Sequence, residues 1–426
     1  MSAGQWGLLA IIGKMEFNLE NIVRKNIWNL KPYSSARSEF DLYGSDKAYP
    51  KSLPAEGTSN EVSPLGKMSA GQKGLTLLDA NENPKGDLNR YPDPLQSSIK
   101  EELAKQKDIS PDQIFVGNGS DEAIDLLYRI FCEPGKDTVI TCPPTYGMYE
   151  VSAAINDVSV LKVPLNKDFS LNLDEILNSS AFAKAKLLWI CSPNNPTGNV
   201  LLKADLKHDW QAQNYTRGGM MDMPFAPEFE AEMLENQRQL DRLFGNFNGI
   251  IVVDEAYQDF TENMSFIKRL EDYPNLVVLQ TMSKAHGMAG ARVGFAFSSP
   301  EIIELFNRTK PPYNVNELSQ KAVLETLKNE EKTKTEIQEI INNKDFLVEH
   351  LNSFNFIKEV YPSEANFVLA KVENATQVYN YLRDKGIIIR NRSSQIKDTL
   401  RFTVGTMMEC KEVITALRQI PANAGI

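Results

Sequence analysis

From residue 74 onward the chain alternates short apolar runs with amphipathic stretches of helical length. The runs are "GLTLLDA", "IFVGNGS", "TVITCPP", "VSVLKVPL", "AKLLWICSP", "GIIVVDEAY", "NLVVLQTMS" and "RVGFAFSS". Consecutive apolar positions, without a polar residue at every second place, predict strands covered on both faces, as in a mainly parallel sheet sandwiched by helices. The stretch 94–107 and "DEAIDLLYRIF" carry the helical period between them. A long helical stretch over about 315–354 then leads into "SEANFVLAKV", "GIIIRN" and "LRFTVG", closed by the helix "CKEVITALRQI". Fewer strands make this second α/β unit the smaller one. The expected organisation is an N-terminal arm and long loop (1–73), a large domain (74–312) and a small C-terminal domain (313–426), with a ligand in the cleft between the domains.

Three segments depart from that rhythm. "LENIVRKNIWNL" puts Leu19, Ile22, Val23, Ile27 and Leu30 on one helical stripe and reads as a docking arm. Residues 44–73, rich in Ser, Pro, Gly and Lys, have no periodicity and read as a surface loop. Residues 208–239, Met-rich and acidic, read as an insertion on a crossover, partly disordered and helical near its end.

Composition narrows the class of partner. The 426 residues are 42% hydrophobic and 24% charged, which fits a soluble chain with a sizeable core rather than a disordered one. A net charge of -10 argues against nucleic acid and against anionic membrane surfaces, leaving small molecules as the expected partners. Cys132, Cys142, Cys191 and Cys410 are scattered and His208, His286 and His350 are the only histidines, so neither a disulfide framework nor a zinc site has its spacing. A reducing cytoplasmic setting is expected. The run "WGLLAII" has no preceding positive charge and no cleavage site after it, and is too short to span a bilayer.

Polar residues collect where the predicted strands end, the place at which open α/β sheets bind ligands. In "GNGSDEAI", Gly117 and Gly119 turn the chain and Ser120 and Asp121 open a helix whose free N–H groups suit a phosphate; Glu122 stands where a dinucleotide fingerprint would need glycine. "CPPTYGMY" puts Tyr146 where a ring can stack on a planar ligand. "CSPNNPTG" supplies amides, among them Asn195. "IIVVDEAY" delivers Asp254 from an apolar strand, where a carboxylate needs a cation or proton donor, and Tyr257 follows it. In "TMSKAHGMAGARVG", Lys284 at a strand end can be desolvated into an amine nucleophile for a carbonyl, while Arg292, with Thr281 and Ser283, can hold an anion. One cofactor matches the whole set, pyridoxal 5'-phosphate: an aldehyde for Lys284, a ring nitrogen for Asp254, a ring face for Tyr146 and a phosphate for the Ser120 turn and Arg292.

The blocks "NLKPYSSAR", "LDANENP", "NRYPDP", "GSDEAI", "FCEPGKD", "PPTYGMY", "CSPNNPTG", "VVDEAY", "SKAHGMAGARVG", "PYNVN" and "LRFTVGT", in this order, resemble the histidinol-phosphate aminotransferase branch of the fold-type I aminotransferases. The resemblance implies that Lys284 binds the cofactor aldehyde, that Asp254 pairs with the ring nitrogen, that Asn195 and Tyr257 bind the ring oxygen and that Tyr146 stacks. It implies a phosphate site of Ser120, Asp121, Thr281, Ser283 and Arg292, completed by Tyr91 from the partner subunit of a homodimer. It assigns Arg401 to the α-carboxylate of glutamate, and Tyr33 and Arg390 to the phosphate of histidinol phosphate. The expected reaction is transamination between histidinol phosphate and 2-oxoglutarate, in histidine biosynthesis. An aromatic or broad-specificity aminotransferase and a threonine-phosphate decarboxylase share the cofactor residues and stay open as alternatives. His286 stands where the family carries an aromatic or other bulky residue, and reads as packing rather than as a base.

Overall fold

The computed structural model describes residues 17–31, 78, 80–205 and 227–420, the side chains of 227–230 excepted. Seven strands form the larger sheet: β1 (Ile114–Gly117), β2 (Thr138–Thr141), β3 (Ser159–Lys162), β4 (Leu187–Cys191), β5 (Ile250–Asp254), β6 (Leu276–Thr281) and β7 (Gly294–Phe297). Their order is β1-β7-β6-β5-β4-β2-β3; the pairings from β6 through β3 are parallel, and β7 runs antiparallel to β6 and β1. The mainly parallel seven-stranded sheet is therefore present. Alternation along its strands explains why they read as unbroken apolar runs: Leu188, Ile190, Ile251, Val253 and Val278 face one core, and Leu187, Trp189, Ile250, Val252 and Val277 the other. The edge strand β3 has exposed Ser159 and Lys162 and only half-buried Val160 and Leu161, since no described strand pairs on its far side. Of "GLTLLDA", only Leu78 and Ala80 are described; neither is in a strand, and Leu78 is 88% exposed.

A four-stranded sheet follows: β8 (Ile357–Val360), β9 (Phe367–Val372), β10 (Arg390–Asn391) and β11 (Thr399–Thr403), in the order β10-β11-β9-β8, antiparallel throughout. It has its own core beneath the helices Glu330–Leu351, Ala375–Asp384 and Met407–Arg418. The expected long helix over 315–354 is two helices, Glu317–Leu327 and Glu330–Leu351. The turn between them tightens through the Asn329 N–H to the Thr326 carbonyl, and Asn329 with Glu330 and Glu331 forms a new, dipole-compatible start. Val323 and Leu327 of the first helix lie in the core of the larger sheet.

The N-terminal arm docks as expected, but as two one-turn helices, Leu19–Ile22 and Lys25–Trp28. The Arg24 N–H is drawn to the Ile130 carbonyl at 2.9 Å, which breaks the helical ladder between them. Ile22, Val23 and Ile27 are buried, whereas Leu30 of the expected stripe is exposed. The loop expected at 44–73 lies outside the described residues, as does 206–226; the end of the 208–239 segment enters a helix, Pro227–Asn246. The four cysteines are buried and free. Among the described residues no helix is long and apolar enough to cross a membrane and no His/Cys/Asp/Glu group could hold a metal ion.

Candidate active site

Strand register brings the chemistry to one edge of the larger sheet. Cys191 at the end of β4 lies opposite Asp254 at the end of β5, Asp254 lies opposite Leu279 of β6, and Thr281 at the end of β6 lies opposite Gly294 of β7, which in turn faces Gly117 of β1. Chain segments leaving these ends carry Asn195, Tyr257, Lys284 and the Gly119–Ser120 turn, so residues far apart in sequence meet there without any distortion of the strands.

Asp254 is 3% exposed. Its Oδ2 accepts the Tyr149 hydroxyl at 2.5 Å and its Oδ1 accepts the Ala256 N–H at 3.1 Å. Burial pushes the carboxyl up to about 6, against the opposing pull of the Tyr149 hydrogen bond. Tyr149 is itself fixed by stacking on Trp189, with ring centroids 4.7 Å apart, and by an edge contact with Tyr146 at 5.6 Å. Asp254 thus has its proton-donor partner inside the protein while its elevated pKa still calls for a cation.

Among the described residues the Lys284 amine makes no hydrogen bond or ion pair; its Nζ sits over the Tyr257 ring, 5.7 Å from the centroid. Burial lowers its pKa first, and the Arg401 guanidinium adds to that. Both effects favour a neutral amine that can attack a carbonyl. The Asn195 amide donates to the Tyr257 hydroxyl at 3.2 Å and its Oδ1 accepts from Arg401 at 2.5 Å, tying β4, β5 and β11 into one cluster. Arg401 also lies over Phe367, 4.9 Å from the ring centroid, and its buried Nε has no hydrogen-bond partner. Burial draws its pKa down to about 10, and Arg392 contributes in the same sense.

The anion end is built by close approach. A Cβ on Gly294 would lie 2.3 Å from the Ser120 nitrogen, so only glycine lets the start of the helix Ser120–Phe131 pass over β7. Gly119 adopts φ +79°, and a Cβ there would lie 2.7 Å from Nη2 of Arg292. The Arg292 Nη2 is 3.6 Å from Asp121, whose Oδ1 accepts the Tyr146 hydroxyl at 3.2 Å. Thr281 Oγ1 accepts the Ser283 N–H at 3.2 Å beside this turn.

These residues fit pyridoxal phosphate: an unpaired amine, a buried carboxyl of raised pKa, an amide–phenol pair, a ring at Tyr146 and a glycine-lined helix start under a guanidinium. Every site residue anticipated within the large sheet's edge is therefore brought together. Arg390 is exposed, opposite Arg401 across β10 and β11. Tyr91 is 46% exposed and stacks on Tyr313 at 4.4 Å, next to Asn314, which bonds to Glu122. Tyr33 lies outside the described residues. His286 is half-buried with an Nδ1 that has no hydrogen-bond partner among the described residues and lies 3.9 Å from Asp259, and burial lowers its pKa, which disfavours a charged ring there. The sequence reading missed Tyr149, although it lies one helical turn after Tyr146 in "TYGMY", and it missed Arg392.

The sequence profile described as "Aminotransferase class I and II" matches residues 68–214 and 233–417. A histidinol-phosphate aminotransferase of Christiangramia forsetii is 42% identical over 408 residues, 95% of this chain and 99% of that relative. One of Flavobacterium johnsoniae is 42% identical over 405 residues, 94% of this chain and 98% of the relative. The solved histidinol-phosphate aminotransferase of Clostridium acetobutylicum superposes with a TM-score of 0.63 at 23% identity, covering 78% of this chain and 91% of that one. That of Sinorhizobium meliloti, solved with pyridoxal-5'-phosphate, gives 0.63 at 23% identity, covering 79% and 85%. The chain belongs to the class I and II aminotransferases and, among them, to the histidinol-phosphate aminotransferase family.

Proposed function

We propose that this chain is a pyridoxal-phosphate-dependent transaminase of histidinol phosphate and 2-oxoglutarate, working as a cytoplasmic homodimer in histidine biosynthesis. The observation that carries the reading is the buried Asp254 and the Lys284 amine at one sheet edge, with Arg401 beside them having, among the described residues, no carboxylate partner and a buried Nε without an acceptor. Bound pyridoxal phosphate supplies an aldehyde for an amine and a ring that takes up the electron pair of a Cα–H bond. Asp254 holds a proton at the ring nitrogen, with Tyr149 and Ala256 fixing both its oxygens. Tyr257 and Asn195 orient the ring oxygen, and Tyr146 covers the ring face. Ser120, Asp121, Thr281, Ser283 and Arg292 hold the phosphate, with Tyr91 reaching in from the partner subunit. The Lys284 amine would hold the cofactor aldehyde and, when free, would serve as the base that takes up the substrate Cα proton. Arg401 binds the α-carboxylate of glutamate, and Tyr33 and Arg390 serve the phosphorylated substrate.

The fold does not separate this reading from its rivals. An L-threonine-O-3-phosphate decarboxylase of Porphyromonas gingivalis superposes with a TM-score of 0.59 at 21% identity. A rate comparison does separate them. With 2-oxoglutarate as acceptor, histidinol phosphate should be turned over at least about tenfold faster than phenylalanine or tyrosine, a difference of only ~1.4 kcal/mol in the barrier, and phosphothreonine should release no carbon dioxide. Equal or faster turnover of the aromatic amino acids, or decarboxylation, would replace the proposed substrate.

A further inference from the structure

The turn proposed to receive the cofactor phosphate is held from behind by three residues that the proposed roles leave unused. Asn314 lies in the chain between the helices Pro300–Thr309 and Glu317–Leu327. Its Nδ2 donates to the Val116 carbonyl on the edge strand β1 at 3.0 Å and to Oε2 of Glu122 at 2.8 Å. Its Oδ1 accepts from Nζ of Lys310 at 3.1 Å and from Nε2 of Gln96 at 3.3 Å. A side-chain amide has two N–H donors and two lone pairs, and all four are taken. The amide therefore has one orientation: turned over, its oxygen would face a carbonyl and a carboxylate.

Glu122 passes that order on to the turn. The oxygen that accepts from Asn314 also accepts the Asn118 N–H at 2.5 Å. A Cβ on Gly117 would lie 3.3 Å from the same oxygen and 2.9 Å from the Phe115 ring, so the carboxylate is packed against the turn. The Gly119 N–H goes to the Gly117 carbonyl at 2.9 Å and the Glu122 N–H to the Gly119 carbonyl at 3.3 Å. These bonds leave the N–H groups of Ser120 and Asp121, at the start of the helix Ser120–Phe131, to meet an anion.

A carboxylate directly behind a phosphate site repels the phosphate. Lys310 offsets that charge. It is 7% exposed, and its ammonium donates to the carbonyls of Pro94, Pro311 and Pro312 at 2.7, 3.2 and 2.8 Å. Through the Asn314 amide it is joined to Glu122. Burial and the neighbouring Lys100 draw its pKa down to about 8, while Glu122 and Asp93 act to keep it charged. Resting on the proposed phosphate site, we infer that Asn314, oriented by Lys310, is a positioning residue for the cofactor phosphate: through Glu122 it fixes the turn whose free N–H groups receive the anion.

The test measures binding of pyridoxal phosphate and of pyridoxal, which lacks the phosphate, to the full-length chain freed of cofactor, by equilibrium dialysis. The wild type should favour pyridoxal phosphate by about a hundredfold or more, as several charge-assisted contacts imply. Asn314→Ala should raise the dissociation constant of pyridoxal phosphate about tenfold and leave that of pyridoxal within about twofold. Lys310→Met should show the same selective loss, of about threefold or more. Asn314→Asp sets a second carboxylate against Glu122 and should lose more than Asn314→Ala; adding Glu122→Gln, which restores a donor between the two positions, should recover at least about threefold. Equal losses for both ligands would show a merely structural role and overturn the inference, as would unchanged pyridoxal phosphate affinity in Asn314→Ala or Lys310→Met, or no recovery in the double variant. A wild type that binds the two ligands alike removes the phosphate site itself, and the role of Asn314 with it. If the wild type is selective and Arg292→Ala loses that selectivity while Asn314→Ala keeps it, the phosphate site stands and only the role of Asn314 falls.

Discussion

Tyr149→Phe removes a single oxygen from the back of the site, and its effect on Asp254 can be worked through. The Tyr149 hydroxyl donates to Oδ2 at 2.5 Å in a fully buried setting, and after its loss only the Ala256 N–H remains on the carboxyl. A hydrogen bond to a charged group contributes about 1.5–3 kcal/mol, and one to a neutral group about 1 kcal/mol. The difference, at 1.36 kcal/mol per unit, raises Asp254 by roughly one unit above its present position near 6. The sign follows from proton binding. Asp254 is raised above its unfolded value near 3.8, so the native state binds the extra proton between those two values. The native state therefore loses stability as pH rises through that window. The variant extends the window upward. In cofactor-free protein, Tyr149→Phe should therefore cost about 1 kcal/mol at pH 5.5 and about 2–3 kcal/mol at pH 8. Urea unfolding at both pH values, followed by tryptophan fluorescence, measures it. The same cost at both pH values, or a smaller one at pH 8, would refute the coupling between Tyr149 and the charge on Asp254.

Other residues give sharper single outcomes. Lys284→Ala should abolish transamination while leaving the unfolding free energy within about 1 kcal/mol of wild type, because the amine loses only its contact over the Tyr257 ring; steady-state turnover by the variant contradicts its role. Arg292→Ala should weaken cofactor affinity by roughly tenfold to a hundredfold, with activity regained at high pyridoxal phosphate, as read by equilibrium dialysis; unchanged affinity contradicts the phosphate contact. Gly294→Ala should destabilise by about 1–3 kcal/mol or more and loosen cofactor retention, since its Cβ would meet the Ser120 backbone nitrogen; wild-type stability in thermal unfolding contradicts the close approach.

The strands of the larger sheet are legible in the sequence because burial on both faces removes the polar alternation that would blur them, and the strand ends then point to Asp254, Lys284 and Asn195. At the proposed anion end, Gly119 and Gly294 meet only because β7 brings Arg292 back beside β1. Pairings between distant positions did not announce themselves. Tyr149 and Asp254 are 105 residues apart, and nothing in "TYGMY" distinguishes a stacking ring from one aimed at a carboxylate. The split arm and the split 315–354 helix follow from single backbone hydrogen bonds, at Arg24 and Asn329, that leave an apolar period unchanged. The strand β8, "IKEV", was invisible because an edge strand with Lys358 and Glu359 exposed has no apolar run to show.

The central claim is that one amine among the lysines of this chain, Lys284, holds the cofactor. Borohydride reduction of the holoenzyme, followed by peptide mapping with mass spectrometry, reads it directly. The pyridoxyl phosphate increment should fall on the peptide containing "TMSKAHG", at Lys284, and should vanish when glutamate is added in excess before reduction. A modification on another lysine, such as the buried Lys100 or Lys310, or one that persists after glutamate, would contradict it.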